Sequence, residues 1–213
     1  MKGATMKLVS VALAAAGMMM ANGGYKADAI GAAPAELAPA ISALLQDKGI
    51  KVTDPAGKVW CELWFVKAAP KGTATTEQDV VWKMTPHGSL IGAIRFPAAA
   101  YDRRGQNIKP GVYTLRFSFH PINGDHQGVA PQRDFLVLTP ADSDKTPEAV
   151  KVFDDLMKMS RKTSGTPHPA VLSMYPVDDG FQPGMVQQGE HDWALHAMAG
   201  DAKIALTLIG KAE

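Results

Sequence analysis

At 213 residues, with 46% hydrophobic and 20% charged residues, the chain has the composition of a globular protein able to bury a core, and one domain is the expected count. Its 22 basic residues against 21 acidic ones leave a formal net charge of +1, and no block of Lys or Arg stands ready to neutralise a row of phosphates. Nucleic acid is therefore excluded as an expected partner.

Lys2 and Lys7 precede or open an apolar stretch that runs from Leu8 to Ala21. That stretch is shorter than the roughly 20 residues a helix needs to cross a bilayer's hydrocarbon core, and it suits the apolar region of a secretory signal. Asn22-Gly23-Gly24 breaks it, and Ala27-Asp28-Ala29 supplies a small-x-small pair, so cleavage is expected after Ala29 in preference to a site nearer Ala21. The expected organisation is a signal peptide over 1–29 and one domain over 30–213, released to the periplasm or the extracellular space. No cysteine stands just after the apolar stretch to carry a lipid, and no later segment is long and apolar enough to span a membrane. Cys61 is the one cysteine, which rules out an intramolecular disulfide, and its place in Val59-Trp60-Cys61-Glu62-Leu63-Trp64-Phe65-Val66 predicts a buried small hydrophobe.

After Pro34, the recurrence of Leu37, Ala40, Ile41, Leu44 and Leu45 predicts a short amphipathic helix from near Ala38 that stops before Gly49. The period then changes to two. Ile50-Lys51-Val52, the turn Asp54-Pro55-Ala56-Gly57 and the run Val59 to Val66 predict a hairpin whose second strand is apolar on both faces. Further strands are expected over Val80 to Met84 and Leu90 to Phe96. From Pro110-Gly111, Tyr113, Leu115, Phe117 and Phe119 alternate with Val112, Thr114, Arg116 and Ser118, which predicts a strand with one buried face and one wet face. Asp134 to Thr139, Val171 to Met174, Trp193 to Met198 and the alternation at Ile204, Leu206 and Leu208 complete the strands. A second helix is expected with Thr146 as N-cap, Pro147 in its first turn, Val150, Phe153, Leu156 and Met157 on one face, and Gly165 at its end. Many short strands with Gly/Pro turns and two short peripheral helices predict a mainly β protein, an antiparallel immunoglobulin-like β-sandwich.

The residues Gly111-Val112-Tyr113-Thr114-Leu115-Arg116, Gly124-Asp125-His126 and Arg133-Asp134-Phe135-Leu136 together resemble a group of uncharacterised exported bacterial proteins. The resemblance covers about thirty residues and implies export and a strand, polar loop, strand arrangement; it brings no activity. The loop from His120 to Arg133 is long for a plain turn and dense in polar groups. His120, Asp125 and His126 are its candidate metal ligands, suited to zinc or copper, although their spacing matches no recognised signature. Trp60, Trp64 and Trp82, with Arg133 at the end of the loop, are the candidate ligand contacts.

No motif specifies a reaction. Ser89 lies outside any G-x-S-x-G elbow, and Glu62, Asp125 and Asp134 are carboxylates of a kind that any chain of this size offers. The expected function is therefore a non-catalytic exported binding or accessory protein that contacts a glycan, a peptide or a partner protein and needs no cofactor. A zinc- or copper-binding protein using the 120–133 loop is the alternative, and a hydrolase with an unfamiliar site is the third reading.

Overall fold

The computed structural model describes residues 24–122 and 132–211. Its elements in chain order are β1 (Lys26–Ile30), α1 (Pro39–Ser42), β2 (Gly49–Thr53), β3 (Val59–Phe65), β4 (Leu90–Phe96), β5 (Ala100–Tyr101), β6 (Asn107–Ile108) and β7 (Gly111–Phe119). They continue with β8 (Asp134–Pro140), α2 (Phe153–Ser164), β9 (Val171–Ser173), β10 (Gly184–Gln188), β11 (Asp192–Ala199) and β12 (Ala202–Ile209). The protein is mainly β, as the alternation in its sequence predicts. A seven-stranded antiparallel sheet in the order β1-β2-β3-β4-β7-β8-β9 is accompanied by a three-stranded sheet, β10-β11-β12, and by the small β5–β6 hairpin.

The two larger sheets share one apolar core. Leu63, Ile94, Leu115, Phe117 and Leu136 of the first are buried in the same cluster as Leu195, Ile204, Leu206 and Leu208 of the second. Met174, just past β9, forms a bridge with Leu206, and Tyr175 N–H donates to the Ala205 carbonyl at 2.8 Å, so the chain leaving β9 passes onto the edge of β12. The far face of β8 carries a second cluster, in which Phe135 and Val137 meet Leu156 and Met157 of α2. Cys61 is buried as expected, and burial pushes its thiol well above the ordinary range.

Several expectations change, each for a physical reason. The first helix is only Pro39–Ser42 because the chain beyond it is drawn into β structure: Leu45 bridges Val66, and Gln46 N–H donates to the Phe65 carbonyl at 2.8 Å. Val80 to Met84 is a loop, held by Asp134, whose buried carboxylate accepts the backbone N–H groups of Val81 (2.9 Å) and Trp82 (2.8 Å). Burial outweighs those two bonds and raises the Asp134 carboxyl above its usual value.

The wet face expected on β7 is dry. Thr114, Arg116 and Ser118 are each 0% exposed, because the segment that follows β8 folds back over them. Arg116 directs all five N–H groups into protein acceptors: Nε and Nη2 to the two oxygens of Asp144 (2.6 and 2.7 Å), Nη1 to the Gly88 and Glu148 carbonyls (both 2.8 Å), and Nη2 to the Thr146 carbonyl (2.6 Å). Asp144 also accepts the hydroxyls of Thr114 and Thr139. This centre explains why α2 starts at Phe153 and not at Thr146: the carbonyls of Thr146 and Glu148 are held by Arg116, and Val150 N–H donates to the Gly88 carbonyl at 3.2 Å, so 146–150 forms no helical turn. Gly165 ends the helix as expected, in the left-handed region at φ 65°.

Candidate functional site

The residues singled out in the sequence are not assembled into one site. Trp64 is 3% exposed, and its Nε1–H donates to the Gly31 carbonyl at 2.8 Å, so it is part of the core. Trp60 is half-buried, donates from Nε1 to the Leu208 carbonyl at 3.2 Å and stands edge-on to Tyr25. Trp82 stacks on Phe117 with ring centroids 6.0 Å apart. Each indole packs against a different part of the protein, and the aromatic that joins Trp60 through Tyr25 is Trp193.

Arg133 closes the base of the long loop. Its Nε–H donates to the His120 carbonyl at 2.8 Å and Nη2–H to Glu77 Oε2 at 3.0 Å, while Nη1–H meets the Gln78 carbonyl and the guanidinium lies over Phe119. The His120 ring stacks on Phe135 with centroids 4.2 Å apart. Asp125 and His126 lie outside the described residues. Among the described residues no group of three or more His, Cys, Asp or Glu side chains could hold a metal ion. Of the candidate carboxylates, Glu62 is paired with Arg95, and Asp134 is engaged by the loop backbone. His87 lies between Phe119 and Phe153, and burial pulls its pKa down.

A different arrangement carries chemistry. β11 begins at Asp192, whose Oδ2 accepts both Arg103 Nε–H at 2.8 Å and the Tyr175 hydroxyl at 2.7 Å. Three distant stretches meet here: the turn of the β5–β6 hairpin brings Arg103, the chain leaving β9 brings Tyr175, and the β10–β11 turn brings Asp192. Gly210 lies against the carboxylate so closely that a Cβ there would stand 2.0 Å from Asp192 Oδ1. Any larger residue at 210 would displace the carboxylate. The Asp192 side chain is 5% exposed and that of Arg103 18%, so the pair stands at the edge of solvent.

The edge is a cleft. Arg103, Tyr175 and Asp192 share with Gln188, Glu190, His191 and Lys211 an open, mainly polar cleft of about 410 Å³. Burial, the bond to Asp192 and its charge raise the Tyr175 phenol to about 12 against the opposing influence of Arg103, so it remains a donor throughout the neutral range. From the cleft, Gln188 reaches toward His196, with Nε2 3.5 Å from His196 Nε2, and His196 stacks flat on Phe181 at 5.2 Å. Burial draws the His196 imidazole below its ordinary 6.5 despite the nearby Asp178 charge, which leaves it neutral at pH 7.

Two other clefts are larger. One of about 980 Å³ lies among Lys109, Lys145 and Lys162 at the end of β4, β7 and β8, but the Tyr113 hydroxyl inside it is taken by the Lys109 carbonyl. The other, about 490 Å³, is an apolar recess around Leu44, Pro70 and Pro147. Neither holds a buried polar group fixed from two sides as Asp192 is. Sequence reasoning missed Arg103, Tyr175 and Asp192 because no spacing links positions so far apart. The one local sign was glycine in the flanking turns, at 189 and 210.

Comparison with known proteins gives no match to a family model, to a curated protein or to a solved structure.

Proposed function

We propose that this chain is an exported, non-catalytic binding protein on an immunoglobulin-like sandwich, and that its cleft at Arg103, Tyr175 and Asp192 takes a glycan. The observation that carries the reading is the fixed carboxylate: Asp192 is oriented by an arginine and a phenol at the wall of an open polar cleft. Hydroxyl-rich ligands are recognised by a few polar groups locked in place by a second set of partners, which spares the ordering cost on binding. The Asp192 acceptor, the Tyr175 hydroxyl, the Gln188 amide and the His191 imidazole offer donors and acceptors along one wall. The signal-like N-terminus and the resemblance of the 111–136 stretch to exported bacterial proteins support export.

Isothermal titration against a panel of neutral and acidic oligosaccharides tests the proposal. At least one should bind, and Gln188→Ala, which removes a half-buried amide from the cleft wall, should weaken that binding about tenfold, equivalent to about 1.4 kcal/mol, with the melting temperature unchanged. A panel without a binder, or binding indifferent to Gln188→Ala, overturns it.

A further inference from the structure

The strand that opens the fold bears on where the leader ends. We infer that the signal peptide is removed at Ala21-Asn22-Gly23, so that the exported protein begins at or just before Gly24 and keeps β1. The inference rests on the export reading proposed above and deepens it by placing the processing site.

All five residues of β1 pair with β2, from Lys26 opposite Thr53 to Ile30 opposite Gly49. Cleavage after Ala29 would remove four of those five residues and expose the β2 edge of the large sheet, with its unpaired N–H and C=O groups. The residues before the strand are also built in. Tyr25 lies between Trp193, with ring centroids 5.5 Å apart, and Trp60, at 6.4 Å, and the Trp60 indole in turn donates to Leu208. Gly24 runs so close beneath Trp193 that a Cβ on it would stand 2.5 Å from the ring. The stretch 24–30 thus supplies a sheet edge and an aromatic contact between the two larger sheets, neither of which a discarded leader would need.

The sequence supplies the other half. Ala21 and Gly23 form a small-x-small pair directly at the end of the apolar stretch, where signal peptidase reads its −3 and −1 residues. Ala27 and Ala29 form a second such pair, but they belong to β1. Hydrolysis at the first site breaks the Gly23–Gly24 peptide bond with one water and leaves the Gly24 amine on the mature chain.

Intact-mass and N-terminal analysis of the full chain, expressed with its leader and recovered from the exported fraction, reads the answer directly. A start between Asn22 and Gly24 is expected. A start at Ile30 overturns the inference and leaves export standing, whereas Met1 retained on the recovered protein, or no exported protein, overturns the export reading itself. Gly23→Leu should accumulate the 22.7 kDa precursor, and Ala29→Leu should not; the reverse pattern overturns the placement. Tyr25→Ala should lower the melting temperature of the exported product by several degrees, and an identical melt would mean that residue 25 had been removed.

Discussion

Two arginine–aspartate pairs, Arg116–Asp144 and Arg103–Asp192, use the same groups at similar distances and stand in opposite relations to solvent. In the first, the side chains are 0% and 2% exposed and every guanidinium N–H meets a protein acceptor, so the pair fastens the 144–150 segment onto β7 and offers nothing to a ligand. In the second, a single carboxylate oxygen collects an arginine and a phenol at the mouth of a cleft. Access separates the two: the first pair is sealed inside the protein, and the second borders an open cleft.

The largest expected effect is at the sealed pair. Arg116→Ala leaves Asp144 buried without its counter-charge and should cost about 3 to 5 kcal/mol in urea melts, as removal of one partner of a buried pair does. A loss below about 1 kcal/mol would erase the contrast, since that is the range of exposed pairs. Arg103→Ala should cost less, about 1 to 2 kcal/mol, because Asp192 retains the Tyr175 hydroxyl and borders solvent. A loss equal to that of Arg116→Ala would make the second pair structural too.

The smallest effect sharpens the comparison. Tyr175→Phe removes one hydrogen bond to Asp192 and should cost about 0.5 to 1.5 kcal/mol. It carries a pH signature as well. The phenol is raised from 10.0 to about 12 in the folded protein, so its contribution is complete below pH 10 and is lost as pH climbs through that interval, where the unfolded chain gives up the proton first. Stability of the parent protein should therefore fall more steeply than that of Tyr175→Phe between pH 10 and 12. Parallel curves would show that the hydroxyl does not face Asp192 in solution.

Much of the architecture was legible because alternation and turn chemistry act locally. Tyr113, Leu115 and Phe117 announced the buried face of β7, the Asp54 to Gly57 turn announced the β2–β3 hairpin, and Gly165 marked the end of α2. Local signals failed where a distant group overrode them. Arg116 reads as a solvent-facing residue until Asp144 and the 146–150 carbonyls cover it, and Thr146-Pro147 imitates a helix start on a segment whose carbonyls are already taken. Strand β1 was hidden by Ala27 and Ala29, which read equally well as a processing motif. For the site, Arg103, Tyr175 and Asp192 converge only through tertiary structure, whereas the tryptophans that stood out are largely occupied in packing.

The aromatic contact around Tyr25 also sets an order of events in folding. The ring against it, Trp193, belongs to the penultimate strand, and the carbonyl that receives the Trp60 indole lies 148 positions beyond that tryptophan. A chain made from its N-terminus has synthesised β1 long before β11 and β12 exist to complete this contact, and contacts of such sequence separation carry a large loop-closure cost and fold slowly. The β2–β3 hairpin can form early, but the final docking of the two larger sheets must wait for the last strand.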